Sequence, residues 1–367
     1  MNPATRPPTR RDDVRLLVLE PASGTVLDRR FADLPSLLAP GDVLVVNDAA
    51  TLPGSLPAVT ERFEPIEIRL VAPPDDRRRW QAVLFGAGDW RQRTEDRAAP
   101  PSLPPGAVVR FPGGLTATVA AVSPISPRLV GLELDGHADE WWAAIYAIGA
   151  PVQYAHLDDD LELWSVQTAY AGRPWAAEMP SAGRPLSWSL LAALRARGVT
   201  IARLTHAAGL SATGDPALDA ALPLPERYDL PAETVAALSE ATGRVIAVGT
   251  TVVRALEGCF ATHGRLLAGI GETSLRLGPH HVRRVVAGII SGMHAPAESH
   301  YQLLRAFAGE ETLLDGFHRA VRLGYRAHEF GDETLILGTD PRWTSSSATV
   351  SRPDRTDAST RRSRLRT

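Results

Sequence analysis

The sequence contains no lysine. All 39 of its basic residues are arginines, and its formal net charge is −3. Without lysine the chain cannot form a Schiff base with a carbonyl substrate, cannot use a lysine general base, and has no P-loop lysine for a nucleotide phosphate. Three common kinds of catalytic or nucleotide site are therefore excluded, and the small net charge indicates no particular partner.

Cysteine and long apolar runs are also scarce. Cys259 is the only cysteine, which excludes an internal disulfide and any multi-cysteine zinc or iron–sulfur site. Residues 1–15 are rich in proline, threonine and arginine without an apolar core, and no stretch reaches the roughly 18 uncharged apolar residues of a membrane helix. We therefore expect a soluble, cytoplasmic protein with no signal peptide and no membrane contact.

The chain is too long for one ordinary hydrophobic core. Its 367 residues predict two domains at about 150 residues each. The composition, with 44% hydrophobic and 22% charged residues, is typical of globular proteins. Residues 339–367 hold seven arginines and three aspartates, which leaves a charge of −7 on the rest of the chain. We predict disordered tails at 1–11 and 339–367, although the arginine-rich end could also contact nucleic acid.

Alternation of strands and helices predicts an α/β domain built from both ends of the chain. Continuous aliphatic runs at 15–20 and 41–48 are typical of strands buried on both faces. Further predicted elements are helices at 186–197, 231–242, 297–308 and 311–323 and strands at 199–204, 244–248 and 333–337. We assign residues 12–60 and 149–338 to this domain.

The intervening segment, residues 61–148, has a different pattern. Five short runs, several of them alternating between apolar and polar residues, are separated by proline and glycine turns, at 66–70, 80–84, 107–111, 115–119 and 130–134. Short strands at this spacing are typical of a small antiparallel barrel or sandwich. The predicted fold class is thus α/β, with a small antiparallel β-barrel domain inserted into a discontinuous α/β domain.

The Gly249-Thr250-Thr251 turn is the first candidate for a binding site. Where a buried strand becomes a helix, a threonine hydroxyl can cap the helix while backbone N–H groups point at an anion. Such turns lie at the carboxyl edge of an open α/β sheet, where ligands bind. Arg254, on the first turn of the helix, could clamp a carboxylate or phosphate. An ordinary cap, and a surface ion pair of Arg254 with Glu257, are the alternatives.

Four more polar residues stand beside predicted strands. Asn47 and Asp48 end a buried strand and Asp332 precedes the last one; an aspartate there could act as a base or hold ribose hydroxyls, or could simply form a turn. His294 lies in a loop of small residues between a strand and a helix, where it could meet a ligand. The histidines show no spacing typical of metal ligands, so we expect no metal site.

Several segments, in their order along residues 8–338, resemble one known family. The most specific is Gly-Arg-Val-Ile-Ala-Val-Gly-Thr-Thr at 243–251 with Arg254 and Leu-Glu at 256–257. Other matching segments include Gln167-Thr168-Ala169-Tyr170-Ala171, Glu226-Arg227-Tyr228, and those at 8–19, 31–35, 41–48, 180–183, 294–296, 307–309, 325–326 and 331–332. Together they resemble the S-adenosylmethionine:tRNA ribosyltransferase-isomerase family of queuosine biosynthesis.

The resemblance implies an enzyme that uses S-adenosylmethionine as co-substrate and needs no metal. Its reaction would transfer and isomerise the ribosyl group onto the aminomethyl group of a 7-deazaguanine base in tRNA, releasing adenine and methionine and leaving epoxyqueuosine. This chemistry requires a base for the acidic proton beside the sulfonium, an acid or hydrogen-bond donor for the departing adenine, and a group that binds the methionine carboxylate.

We assign these roles by residue type and position. The catalytic candidates are Asp48, His294 and Asp332. The substrate-binding candidates are Asn47, Gln167, Thr168, Glu226, Tyr228, Gly249, Thr250, Thr251 and Arg254. The expected partners are tRNA and S-adenosylmethionine, and the expected oligomeric state is a monomer.

Several loop residues depart from the family's pattern. Ala49 and Ala50 stand where the family has Thr-Arg, Leu224 and Pro225 replace Met-His, and Ala297 stands where the family has an arginine. These positions belong to loops that should line the site. Two alternatives therefore remain open: a diverged paralogue that transfers from S-adenosylmethionine to a different acceptor, and a non-catalytic nucleotide-binding protein.

Overall fold

The strands account for most of the predicted architecture. A computed structural model describes residues 1–72, 79–296, 298–338 and 341 of the chain. The strands in this part are β1 (Asn2–Pro3), β2 (Arg15–Glu20), β3 (Thr25–Arg30), β4 (Val43–Asn47), β5 (Ala50–Thr51), β6 (Ser55–Thr60), β7 (Pro65–Ala72), β8 (Arg79–Phe85), β9 (Val108–Arg110), β10 (Thr116–Val122), β11 (Leu129–Leu134), β12 (Pro174–Ala176), β13 (Thr200–His206), β14 (Glu226–Leu230), β15 (Val245–Val248), β16 (Gly269–Thr273), β17 (Gly288–Gly292), β18 (Arg326–Ala327) and β19 (Glu333–Leu337).

Helices connect these strands. In the same part of the chain they are α1 (Leu34–Leu37), α2 (Ala138–Ile148), α3 (Trp188–Ala196), α4 (Pro216–Ala221), α5 (Ala232–Glu240), α6 (Thr250–His263), α7 (Ser299–Leu304) and α8 (Glu310–Arg322). Helix α3 begins after Ser187, whose side-chain oxygen accepts a hydrogen bond from the N–H of Leu190. Helix α6 ends at Gly264, whose φ of +67° favours glycine. None of the helices described is long and apolar enough to cross a membrane.

Nine strands form one mixed sheet in the order β16-β14-β13-β4-β15-β17-β19-β2-β3. Its centre is parallel, since β13, β4, β15 and β17 run in the same direction. Every residue of β4 and β15 is buried, because helices cover both faces of the sheet. On one face Val45 and Ala247 pack with helix α6, and on the other Leu44 and Ile246 pack with helix α3.

The barrel is closed by six antiparallel strands in the order β10-β11-β8-β7-β6-β9. Ile68, Ala82 and Val109 lie in its core. Five of the strands fall within the predicted segment 61–148, but β6 pairs with both β7 and β9 and precedes that boundary. The sequence pattern omitted β6 because Pro57 lies in the middle of it, and proline is uncommon in paired strands. The predicted α/β fold with an inserted antiparallel barrel is confirmed.

The first residues of the chain are ordered, in contrast to the predicted disordered tail at 1–11. Strand β1 pairs in parallel with β18, and the N–H of Ala4 donates to the carbonyl oxygen of Ala327 at 3.0 Å. Ala4 clusters with Leu157 and Phe330, so this segment covers apolar surface contributed by distant loops. The predicted tail at 339–367 lies outside the described residues, apart from residue 341.

Candidate active site

Most of the predicted site residues meet at one edge of the central sheet. Strands β13, β4, β15 and β17 all end there, and β19 begins there because it is antiparallel to β17. The edge therefore carries Asn47 at the end of β4 and Asp48 after it, the Gly249-Thr250-Thr251 turn after β15, His294 after β17, and Asp332 before β19. Open α/β sheets bind their ligands at this edge.

Asn47 joins three elements at the edge. Its Oδ1 accepts hydrogen bonds from the N–H of His206 at 2.9 Å and from the N–H of Ala49 at 3.1 Å. Its Nδ2 donates to the carbonyl oxygen of His206 at 3.0 Å and lies 3.4 Å from Oγ1 of Thr251. Asn47 is only 2% exposed. These internal contacts hold β4, β13 and the first turn of α6 together, so Asn47 positions the site.

Asp48 presents its carboxylate beside β13. Its Oδ1 accepts a hydrogen bond from Oγ1 of Thr205 at 2.5 Å, and its Oδ2 lies 3.8 Å from the guanidinium of Arg203. The guanidinium of Arg173 donates to the same Thr205 hydroxyl oxygen at 2.6 and 3.1 Å. The Asp48 side chain is 13% exposed, so its orientation is fixed while a ligand can still reach it.

The Gly249-Thr250-Thr251 turn forms the N-terminal end of α6. Gly249 has a φ of +91°, which favours glycine, and its N–H donates to the carbonyl oxygen of Ile290 at 2.8 Å. The first N–H groups of a helix lack intrahelical partners and carry partial positive charge. Thr250 and Thr251 are partly exposed, so this helix end is suited to bind an anionic group.

Arg254 is paired with Glu226, not with Glu257. Its Nη1 contacts Oε2 of Glu226, while the Glu257 carboxylate accepts backbone N–H groups of residues 284–286. The Nε of Arg254 donates to the carbonyl oxygen of Leu275 at 3.0 Å. Burial, with a further effect of Arg276, lowers the pKa of Arg254 to about 10. Its Nη2 is buried without a hydrogen-bond partner among the described residues, so one nitrogen of the predicted clamp is available.

His206 lies beside this ion pair and was not among the predicted site residues. It is fully buried, and its Nε2 lies 3.4 Å from Oε2 of Glu226. Neither ring nitrogen makes a hydrogen bond within the described part of the chain. Burial, and then the charge of Arg254, hold the pKa of His206 well below its usual range. The imidazole is therefore neutral. The position of His206 at the end of β13, at the carboxyl edge of the sheet, is the sequence signal that could have identified it as a site residue.

Tyr228, a predicted substrate-binding residue, lies in the core. Residues two apart on a strand share one face, and the face of β14 that carries Glu226 and Tyr228 packs against α6. Glu226 meets Arg254 near the start of that helix, whereas Tyr228 lies one pleat further along and contacts Cys259. Tyr228 is 3% exposed, and burial together with the Cys259 contact raises its pKa. Packing beneath α6 thus removes the phenol from the edge.

Gln167 and Thr168 belong to the loop before β12. The Nε2 of Gln167 donates to the carbonyl oxygen of Thr51 at 2.8 Å, and its Oε1 accepts the N–H of Thr51 at 2.9 Å. This paired contact fixes the loop against β5, so Gln167 has a positioning role. Thr168 is 4% exposed, and its hydroxyl has no hydrogen-bond partner among the residues described, which suits contact with a ligand.

His294 is oriented by neighbours on both sides of its ring. Its Nε2 lies 3.1 Å from Oγ of Ser291, and its Nδ1 lies 3.0 Å from Oε2 of Glu298. Burial opposes ionisation of Glu298, but the His294 hydrogen bond and other contacts lower its pKa overall. The ring also stacks on His300 at 4.8 Å between centroids. A histidine oriented by a carboxylate is suited to acid–base chemistry.

Asp332 and Glu333 differ in their environments although they are adjacent. The Asp332 carboxylate accepts the backbone N–H groups of Arg15 at 2.7 Å and Arg326 at 2.8 Å, which gives it a positioning role between β2 and β18. Glu333 is 3% exposed, and its Oε2 lacks a hydrogen-bond partner in the described residues. Burial, and then the charge of Asp332, raise the pKa of Glu333 well above its usual range. Sequence reasoning missed this acid because it begins an aliphatic strand.

One group of possible metal ligands joins the loop after α2 to the loop between β18 and β19. His156, His328 and Glu329 bring one ligand atom each within 4.8 Å of one another. However, the two imidazole rings stack at 4.3 Å with an angle of 23° between their planes, so their in-plane lone pairs do not converge. The Nε2 of His156 is instead hydrogen-bonded to Oε2 of Glu329 at 2.7 Å. This arrangement fastens two loops together.

Comparisons with known proteins agree with this architecture. A family model described as "Queuosine biosynthesis protein" matches residues 2–336. Two similar proteins are named S-adenosylmethionine:tRNA ribosyltransferase-isomerase. The one from Anaeromyxobacter dehalogenans (strain 2CP-C) is 35% identical, and the match covers 91% of this chain and 95% of that protein. The one from Trichlorobacter lovleyi is 30% identical, and the match covers 91% of this chain and 96% of that protein. The crystal structure of S-adenosylmethionine tRNA ribosyltransferase from Thermotoga maritima matches with a TM-score of 0.50 and 24% identity, over 91% of this chain and 96% of that one. The chain therefore belongs to the queuosine-biosynthesis family of S-adenosylmethionine:tRNA ribosyltransferase-isomerases.

Proposed function

We propose that the protein transfers and isomerises the ribosyl group of S-adenosylmethionine onto the aminomethyl group of 7-aminomethyl-7-deazaguanine, the wobble base of tRNA. The products are epoxyqueuosine in tRNA, adenine and methionine. The observation that carries the proposal is that the Asp48 carboxylate and the N-terminal end of α6 lie at the same sheet edge, where Asn47, the residue next to Asp48, contacts Thr251. A fixed carboxylate and an anion-binding helix end are two of the groups that this reaction requires.

Asp48 is the proposed base. A proton on the carbon beside a sulfonium is acidic because the adjacent positive charge stabilises the carbanion, and a carboxylate held in place can remove it. Thr205 donates its hydrogen to Oδ1 of Asp48, so Oδ2 is the oxygen to which we assign removal of the proton. The proton passes from the ribosyl carbon to the Asp48 carboxylate, and the electron pair stays on the carbon beside sulfur.

The remaining requirements are assigned to the other elements at the edge. The N–H groups at Thr250 and Thr251 bind the methionine carboxylate, and His294, oriented by Glu298, donates a proton to the departing adenine. Thr168 binds the substrate through its hydroxyl, which has no hydrogen-bond partner in the part of the chain that the structure describes. Asn47, Gln167 and Asp332 hold the edge in shape through the internal hydrogen bonds described above.

The proposed co-substrate is S-adenosylmethionine, and the proposed macromolecular partner is tRNA. We also propose that the protein acts as a monomer in the cytoplasm.

Release of adenine and methionine tests the proposal. Purified protein is incubated with S-adenosylmethionine and with tRNA that carries 7-aminomethyl-7-deazaguanine, and both products are quantified by chromatography. Release that depends on the modified tRNA supports the proposal. Release that is the same without tRNA indicates a different acceptor, and absence of release from folded protein that binds S-adenosylmethionine indicates a nucleotide-binding protein.

A further inference from the structure

A cavity of about 290 Å³ lies between the outer face of the barrel and the segment that follows β13. Strand β8 contributes Gln81 and Val83, and the α/β side contributes Leu210 and Leu224 among other apolar residues. Polar groups come from the antiparallel pair β14 and β16, which places Glu226, Arg227 and Glu272 on its wall. The cavity is thus a mainly apolar space with charged groups along one side.

The size of the cavity limits what can enter it. Pockets for drug-sized ligands occupy roughly 300 to 1,000 Å³, so this one lies at the lower end. It is large enough for a single bicyclic base with a short substituent and too small for the whole of S-adenosylmethionine. Apolar side chains such as Val83 and Leu224 suit the flat faces of such a ring, and enzymes hold extruded bases between side chains of this kind.

One arginine on the cavity wall belongs to a cluster of two arginines around a tryptophan ring. Arg227 lines the cavity and stacks over the ring of Trp175 at 4.0 Å, while Arg173 approaches the same ring at 4.6 Å. Two arginines beside the cavity carry positive charge, which attracts the phosphates of a nucleic acid. S-Adenosylmethionine has no phosphate, so arginines beside an apolar cavity favour a nucleic acid.

The cavity is separated from the sheet edge by a short chain of contacts. Glu226 lines the cavity, and its Oε2 lies 3.4 Å from Nε2 of His206. The carbonyl oxygen of His206 accepts a hydrogen bond from Asn47, which also lies 3.4 Å from Thr251 at the start of α6. A base in the cavity would therefore lie close to a ligand bound at that helix end.

We infer that this cavity binds one nucleobase extruded from a nucleic acid. The inference rests on the proposed function, under which the base is the 7-aminomethyl-7-deazaguanine of tRNA. Glu272 is assigned to the cationic aminomethyl arm: it is exposed on the cavity wall, and its carboxylate has no ion pair or hydrogen bond within the described chain. Glu226 is already engaged by Arg254.

Binding measurements without turnover test this assignment. Gln81→Trp fills the cavity from the exposed face of β8, and Gln302→Trp places the same side chain on the exposed surface of α7 as a control. Filter binding measures the Kd for tRNA with 7-aminomethyl-7-deazaguanine and for tRNA with guanine at the wobble position. Equilibrium dialysis measures the Kd for S-adenosylmethionine, and thermal unfolding verifies that each variant is folded.

We expect Gln81→Trp to weaken binding of the modified tRNA by about tenfold, equivalent to roughly 1.4 kcal/mol, and to leave S-adenosylmethionine binding unchanged. Weaker binding of S-adenosylmethionine with unchanged tRNA binding would show that the cavity takes adenine. Unchanged binding of both ligands would show that it takes neither. Either result overturns the inference.

Glu272→Gln provides a second, conservative test at an exposed position. We expect it to reduce the preference for modified over unmodified tRNA by about tenfold, the usual effect of losing a hydrogen bond to a charged group. A preference equal to that of the unaltered protein would contradict the role of Glu272. If the unaltered protein releases no adenine but shows the expected binding pattern, the proposed function fails while the base subsite stands.

Discussion

The Thr205 hydroxyl donates a hydrogen bond of 2.5 Å to Oδ1 of Asp48, while its oxygen accepts from the Arg173 guanidinium. A hydroxyl has a single hydrogen, so the donation from Arg173 commits that hydrogen to Asp48. Arg173 is itself fixed by a contact of 2.7 Å with Asp229. The orientation of the proposed base is thus set by a directed chain across β13 and β14.

Asp48→Asn is expected to abolish adenine release. An amide cannot remove the proton beside the sulfonium, but it can still accept the Thr205 hydrogen bond, so the fold is retained. Adenine release and thermal unfolding are measured in parallel, with Asp315→Asn on the exposed surface of α8 as the control. Unchanged turnover by the Asp48 variant would remove this residue from the mechanism.

Asp332→Asn is expected to reduce stability more than catalysis. The Asp332 carboxylate accepts two backbone N–H groups, and the amide nitrogen of asparagine would face one of them with a second donor. The expected loss is about 1–3 kcal/mol in the free energy of unfolding, measured with urea, while kcat of the folded fraction is retained. Normal stability with lost adenine release would instead assign Asp332 to the chemistry.

Glu226→Gln is expected to destabilise the protein strongly. The side chains of Arg254 and Glu226 are only 7% and 10% exposed. Removing one charge of a buried ion pair lowers the free energy of unfolding by about 3–5 kcal/mol, because the other charge is left uncompensated. The double variant Glu226→Leu with Arg254→Met should recover much of this loss, because no uncompensated charge remains. Asp160→Asn, which breaks an exposed pair with Arg91, is the control and should show no measurable change in urea unfolding.

Glu333→Gln is expected to stabilise the protein at high pH. The pKa of Glu333 is raised in the folded state, so the unfolded chain releases this proton first and stability falls as pH rises from the usual glutamate pKa towards the folded value. The variant avoids this loss, which amounts to about 1.4 kcal/mol for each unit by which the pKa is raised.

Urea unfolding at about pH 5 and about pH 8 checks this prediction for Glu333. The variant should exceed the unaltered protein in stability by more at the higher pH, whereas Glu240→Gln on the exposed end of α5 should show no such trend. A difference that does not change with pH would contradict the raised pKa.

Much of the fold could be predicted because its central strands are continuous aliphatic runs. Val43–Asn47 and Val245–Val248 are buried along their whole length, and their aliphatic residue types indicate that burial. Strand β14 is different: its Glu-Arg-Tyr-Asp-Leu sequence carries three charges and lies near the end of the sheet. Its conformation depends on pairing with β13 and β16, which local pattern does not encode.

The candidate site could be predicted only in part. Parallel strands end at the same edge of a sheet, and this rule depends only on strand direction. It correctly predicts that Asp48 and the Gly249-Thr250-Thr251 turn lie at one edge. Which side chains pair there depends on tertiary packing. Arg254 meets Glu226 because α6 lies across β14, and Tyr228 is covered by the same helix, so neither contact could be derived from sequence spacing.

The central claim is that this chain converts the wobble deazaguanine of tRNA, and mass spectrometry of the wobble nucleoside tests it most directly. After incubation with S-adenosylmethionine, tRNA carrying 7-aminomethyl-7-deazaguanine is digested to nucleosides, and the free adenine in the same reaction is quantified. The account predicts epoxyqueuosine in an amount equal to the adenine released. An unchanged wobble nucleoside, with or without adenine release, would contradict it.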